Sequence, residues 1–534
     1  MRETARCWMR SGLVCFLALA RLALAAGNGA SAAPESALAA EIRELRALLR
    51  EQQRQIDELK KALLDRNAGA QPATAAPVRP QADTAATDAS SPALQFRIGD
   101  TYVTPVGFMD LTAVYRDTAP GTNIGTNFGS IPYRTQAAVN GNLSEFRLSP
   151  QNSRLGLRLD TVVKGTRVLG YWESDFLGAL GNPPLGNVAV STNGYPLRLR
   201  LFWVDLKRDK WEILGGQTWS LITPGRTGIS PLPSDVFFSQ AIDVNYTAGI
   251  PWGRIPEFRF VYRPNKAVTA ALALDNPEQY IGGSSGGGAI TLPSGLAGAF
   301  GSQLSNGTLT LGTPNQRPDI IGKVAVDGKM PNGNAIHFEV AGMSRTFRTY
   351  LPASGRHFTK SGGALSANLN VEVLKGLRLL TMNYYSQGGG RYLFGQAPDL
   401  VVQSDGSLSL VEAMGTTSGF EYTRNQTLLY AYYGGVYAGR HVVDDTTGSK
   451  PGLAGYGYRG APDSQNRSVQ QITFGFNQTL WRDSRWGALN FMAQYSYFTR
   501  NPWFLATGAP RHAYMNEIWL NLRYTLPGAP PPLQ

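Results

Sequence analysis

From residue 96 to residue 526 the chain repeats one pattern: apolar side chains recur at every second position, in stretches of roughly 8–12 residues. Period two is the signature of strands with one buried and one polar face. Sixteen such stretches are found, with an uncertainty of two, near 105–116, 152–163, 167–177, 197–206, 211–219, 256–263, 267–275, 319–327, 335–345, 364–374, 377–386, 417–424, 427–437, 468–480, 487–498 and 514–526. Every second link between them is tight, as at Val163-Lys164-Gly165-Thr166, Lys207-Arg208-Asp209-Lys210 and Arg424-Asn425-Gln426. The others are long: 117–143, 178–196, 220–255, 276–318, 346–363, 387–416, 438–467 and 499–513. Short turns at one end and long loops at the other belong to transmembrane barrels of even strand number. The hairpins share no sequence motif, which argues against a repeat protein.

The faces follow from the alternation. In 152–163, Leu155, Leu157 and Leu159 oppose Arg154, Arg158 and Asp160. In 197–206, Leu197, Leu199, Leu201 and Trp203 oppose Arg198 and Arg200; in 256–263, Phe258, Phe260 and Tyr262 oppose Glu257, Arg259 and Arg263. An Arg facing lipid at the bilayer midplane costs about 2–4 kcal/mol. The charged face is therefore the lumen. Tyr115, Tyr171, Trp211, Trp481, Trp486 and Tyr497, near strand ends, suit interfacial girdles.

The N-terminus reads as a secretory signal over 1–25: Arg2, Arg6 and Arg10, an apolar run from Ser11 to Leu24, and Ala23-Leu24-Ala25 for cleavage, with Ala32 as an alternative. Both cysteines, Cys7 and Cys15, fall in it, so the remainder has no thiol chemistry. Residues 34–67 carry a heptad seam, Ile42, Leu49, Ile56 and Leu63 at a and Leu38, Leu45, Gln52 and Leu59 at d. This predicts an α-helical coiled coil that oligomerises, with the strand number left open by Gln52. An Ala/Pro-rich linker follows over 68–93, and a Pro-rich tail closes the chain over 527–534. The fold class is thus all-β: a 16-stranded antiparallel transmembrane β-barrel with an N-terminal α-helical coiled coil.

The formal charge is +12. Export argues against nucleic acid as the reason for it and leaves an anionic surface or an anion pathway. The candidate pore-lining cations are Arg147, Arg154, Arg158, Arg198, Arg200, Arg259 and Arg263, with Glu173 and Asp175 as the acids between the Arg-bearing strands. Cross-strand pairing that rigidifies the wall and a field that attracts small anions are both compatible with them. The link 220–255 carries Leu221, Ile222, Ile229, Leu232, Phe237 and Phe238, too many large apolar residues for a solvated loop. It is expected to fold into the lumen as a constriction, with Arg226, Asp235 and Asp243 as its charges; packing on a neighbouring subunit or over the outer mouth is the alternative. His337, His357, His441 and His512 stand singly, no nucleophile or metal motif stands out, and GGSSGGG at 282–288 lacks the lysine of a phosphate loop and reads as flexible. Neither enzyme activity nor a cofactor is expected.

The stretches SEFRLSPQNSRLGLRLDT (144–161), YWESDFLG (171–178), LRLRLFWVDL (197–206) and ILGGQTWSLITP (213–224) resemble, in order and spacing, the DcaP-like family of outer-membrane porins. The resemblance implies a homotrimer of barrels in the outer membrane of a Gram-negative-type bacterium, N-terminal helices in the periplasm, and diffusive uptake of small polar solutes, often anions. The matching arginines are Arg154, Arg158, Arg198 and Arg200. The chain departs from the family in ending its last strand at Tyr524-Thr525-Leu526 without a terminal aromatic, and in a long Gly-rich link at 276–318. A barrel that serves as a structural tether, and an outer-membrane hydrolase, are the rival readings.

Overall fold

The structure, a computed structural model, describes Ala47, Arg54, Glu58 and residues 94–178, 195–236, 239–284, 286–307 and 313–527. The chain divides into two units, Met1–Thr87 and Asp88–Gln534. In the first, only Ala47, Arg54 and Glu58 are described; they are helical, with Arg54 Nε 3.9 Å from Glu58 Oε1 one turn on. The signal, the linker up to residue 93, the rest of the heptad segment, Phe237, Phe238 and the tail beyond Pro527 lie outside the described residues.

The second unit is a closed antiparallel barrel of sixteen strands. In chain order these are β1 (Thr101–Arg116), β2 in two pieces (Glu145–Ser149 and Arg154–Val163), β3 (Thr166–Asp175), β4 (Arg198–Arg208), β5 (Trp211–Trp219), β6 (Arg254–Tyr262), β7 (Val268–Asp275) and β8 (Asp319–Lys329). The second half is β9 (Ala335–Leu351), β10 (Arg356–Leu374), β11 (Leu377–Gln387), β12 (Glu412–Arg424), β13 (Thr427–Ala438), β14 (Asn466–Asp483), β15 (Gly487–Pro502) and β16 (Ala513–Thr525). Each strand pairs with its chain neighbours, and β1 closes on β16 from Phe108↔Thr525 to Arg116↔Glu517. Both pieces of β2 pair with β1. Closure leaves no strand edge to solvate inside a membrane.

The tight links are hairpin turns. Lys164 and Gly165 take φ of 49° and 79°, the left-handed pair that matches the strand twist. On the outer wall Leu155, Phe202, Phe258, Phe260, Leu272, Ile320, Leu365, Phe474, Ile518 and Leu520 are exposed, while Asp110, Glu173, Glu257, Glu339, Glu421 and Glu517 on the alternate positions are buried. An apolar exterior around a charged interior places lipid outside and the lumen inside.

Four expectations are corrected. The link 346–363 is not long: β9 and β10 run on to a turn at 352–355, where Gly355 has φ 65°. Leu201 and Trp203 face inward, because a bulge at Arg200 shifts the register between Glu173↔Leu201 and Ser174↔Leu199 and reverses the faces beyond it. Tyr171 is not in a girdle; it is buried inside, stacked on Trp203 at 5.3 Å. The Gly-rich run is held rather than free: Gly288 N–H donates to Ser464 O at 2.8 Å, and a Cβ on Gly129 would lie 2.3 Å from Gly286 O.

The large buried apolar cluster lies within the barrel. It joins Leu201, Trp203, Leu214 and Trp219 of the wall to Leu221, Ile222, Tyr246, Ile250 and Trp252 of the link after β5, and to Phe300, Leu304, Tyr392 and Val401 of other long links. Loops with that much apolar surface fold only where a wall can bury it.

Candidate functional site

The site starts at the bulge of β4. The alternation of LRLR puts Arg198 and Arg200 on the inner side, facing Asp175 and Glu173 of β3, and Arg200 is the extra residue of the bulge, beyond which the faces reverse. The bulge leaves carbonyls without ladder partners. Gln217 of β5 supplies one, its Nε2 donating to Arg200 O at 2.9 Å. Gly216 beside it has φ 137°, and a Cβ there would meet Phe202 O at 2.3 Å. The GGQTW run is thus the piece that closes over the bulge.

Arg200 is buried. Its Nε lies 2.6 Å from Glu173 Oε1, its Nη1 2.7 Å from Asp175 Oδ2, and its Nη2 donates to Tyr246 Oη at 3.2 Å. Arg198, half-exposed, grips Asp175 with two bonds of 3.0 and 2.7 Å. Arg154 Nη1 lies 3.6 Å from Glu173 Oε1. Arg254, at the start of β6, sits over Trp219 and Trp252 at 5.6 and 5.7 Å, and no carboxylate among the described residues is within ion-pair distance of it. Four guanidinium groups therefore face two carboxylates. Sequence reasoning missed Arg254, which closes the 220–255 link; its signal was a cation two residues after Trp252.

The other expected cations lie apart. Arg147 pairs with Glu145 at 2.9 Å near the long-link end, and Arg158 with Asp160 at 2.7 Å towards the short turns. Arg259 pairs with Glu257 and donates to Trp219 O, both at 2.6 Å. Arg263 pairs with Glu212 at 2.5 Å and donates to Ile229 O at 2.7 Å. These charges hold the wall and the ends of the neighbouring link in place.

That link, hereafter the strap, runs along the inner faces of strands between β7 and β15. Ser220 Oγ donates to Asp275 of β7 at 2.5 Å, and Lys323 of β8 donates to Thr223 O at 2.8 Å. Gly225 N–H donates to Glu339 of β9 at 2.9 Å, and Arg226 grips Glu421 of β12 at 2.5 and 2.8 Å. Further along, Gln240 N–H meets Tyr432 Oη of β13 at 3.0 Å, Ile242 N–H meets Gln494 of β15 at 2.6 Å, and Ala248 N–H meets Gln471 of β14 at 2.8 Å. The acceptors occupy inward positions of period-two strands, a signal the sequence carries for Glu339 and Glu421 as lone acids in apolar stretches.

Asp235 accepts Arg226 N–H through its carbonyl at 2.8 Å, in the one-turn helix Pro233–Val236. Asp243 is buried, accepting Asn245 N–H at 2.8 Å and Thr126 N–H at 3.3 Å. Burial and the nearby Glu517 carboxylate push its carboxyl above the usual range. Below the strap, a cavity of about 210 Å³ touches Arg154, Glu173, Asp243, Tyr246, Asn490 and Arg523. A second, of about 510 Å³, shares Gln240 and Asn477 with it and reaches Lys375, Arg378 and Arg482 at the short turns. Among the described residues no group of three or more His, Cys, Asp and Glu is arranged to hold a metal.

No protein-family model matches the chain, and no curated protein does. Solved structures do. The outer membrane channel DcaP of Acinetobacter baumannii is 17% identical, with 81% of this chain and 99% of that one covered and a TM-score of 0.57. The anion-selective porin from Comamonas acidovorans is 12% identical over 80% of this chain and 100% of that one, with a TM-score of 0.41. The chain therefore has the barrel fold of DcaP, as its motifs led one to expect.

Proposed function

We propose that this DcaP-like barrel is an outer-membrane porin through which small hydrophilic solutes diffuse passively, anions such as carboxylates ahead of cations. The observation that carries the reading is the excess of Arg154, Arg198, Arg200 and Arg254 over Glu173 and Asp175 where the strap meets the wall. In a lumen walled by low-dielectric protein, fixed cations raise the local anion concentration, and several weak sites allow exit as well as entry. The strap, bonded to the inner face from β7 to β15, is the constriction. The chain is exported by its signal, its barrels associate as trimers, and the heptad helices stand in the periplasm. No catalytic step belongs to this function.

A second reading has an observation in its favour. The apolar cluster joining the strap to Phe300, Tyr392 and Val401 suits a plugged barrel that anchors a periplasmic coiled coil. Reversal potentials of the full-length protein in planar bilayers under a salt gradient separate the two. The porin reading expects anion over cation permeability, lowered about twofold or more by Arg198→Glu. Absence of open-channel current supports the anchor.

A further inference from the structure

Beneath the strap, one histidine is bonded in a way that the transport reading does not use. His337 of β9 lies directly across the ladder from Asp327 of β8. Its Nδ1 is 2.8 Å from Asp327 Oδ1 and its Nε2 is 3.3 Å from Glu339 Oε2. Only an imidazolium has N–H donors on both nitrogens; a neutral ring can satisfy one carboxylate and turns a lone pair on the other. The same two carboxylates hold the strap. Gly228 N–H donates to Asp327 Oδ2 and Gly225 N–H to Glu339 Oε1, both at 2.9 Å.

We propose that His337 is a proton-operated latch on the strap, a reading that rests on the strap being the constriction of a channel. With the ring charged, it donates an N–H to each of Asp327 and Glu339, whose other oxygens accept from Gly228 and Gly225. Loss of the ring proton removes one donor and one positive charge from between two acids. Glu339 keeps Lys323 Nζ at 3.0 Å and Asn368 Nδ2 at 3.2 Å. Asp327 has no second cation among the described residues, so its grip on Gly228 is the one that loosens. The other neighbours do not substitute. On β10, Asn368 and Asn370 are amides turned to the carbonyls of Gly225 and Arg226, and the Arg226 guanidinium is committed to Glu421. The strap from Thr223 to Gly228 is therefore held at low pH and released as pH rises through the titration of the ring.

The test is hydrogen exchange of strap peptides covering 223–228 in the full-length protein in detergent, from pH 5.5 to pH 9, each rate divided by its intrinsic rate. Wild type is expected to lose about tenfold in protection across that range, the scale of one charge-assisted hydrogen bond, and His337→Gln to show no step. The same step in both proteins, or none in either, overturns the proposal. Should Gln at 337 prevent folding, Asp327→Asn keeps the ring and removes the carboxylate that needs the second N–H; it is expected to flatten the step, and a full step there overturns the latch. Currents recorded in parallel separate the two claims: a pH step in exchange with silent bilayers supports the latch and counts against the channel.

Discussion

Arg198 and Arg200 stand two residues apart, touch the same carboxylate and should behave differently when truncated. Arg200 is sealed between Glu173, Asp175 and Tyr246. Its removal takes the 2.6 Å partner from buried Glu173, leaving Arg154 at 3.6 Å, and one of two partners from Asp175, so Arg200→Met is expected to cost about 3–5 kcal/mol. Arg198 is half-exposed, and Asp175 keeps Arg200 when it goes, so Arg198→Met is expected to cost no more than about 1 kcal/mol. Urea unfolding in detergent, followed by gel mobility, measures both; equal losses would show that the bulge does not seal Arg200. This distinction was not legible in LRLRLFWVDL. Phe202 and Trp203 are both large and apolar, so the alternation carries no mark of where the extra residue sits. Tyr171 was misplaced for a similar reason, since an aromatic ring suits a lipid interface and a packed lumen equally.

Among the elements, the strands were the most legible, because lipid outside and charge inside impose period two on each of them. The exception, the upper part of β9 and β10, carries Arg345, Arg348, Arg356 and Lys360 among mixed neighbours and lost the period. The strap was legible as an apolar link with nowhere to go but a wall. Its contacts were not, since Ile242 meets Gln494 across 252 residues of sequence and no local pattern links them. Asp243 tests one of these attachments. A carboxyl raised on folding stabilises the fold while protonated; that contribution is whole below the ordinary carboxylate range and is lost as pH rises through the raised value. Asp243→Asn should therefore leave stability unchanged at pH 4 and raise it by about 1–2 kcal/mol at pH 8. Thermal unfolding at the two pH values reads this, and a variant less stable at pH 8 would show that the charged form is the one the strap prefers.

At the scale of the whole molecule, sixteen strands enclose loops rich in apolar residues, and two cavities that share Gln240 and Asn477 lie between the strap and the short turns. The balance of a plugged and a conducting interior turns on the strap, because it joins the arginine cluster to the far wall. The direct measurement is single-channel conductance of the full-length protein in planar bilayers beside a variant lacking residues 226–240. The account expects discrete current steps in both, with larger steps, by about twofold or more, once the strap no longer narrows the lumen. Silent bilayers with both proteins, or steps of equal size, would contradict it.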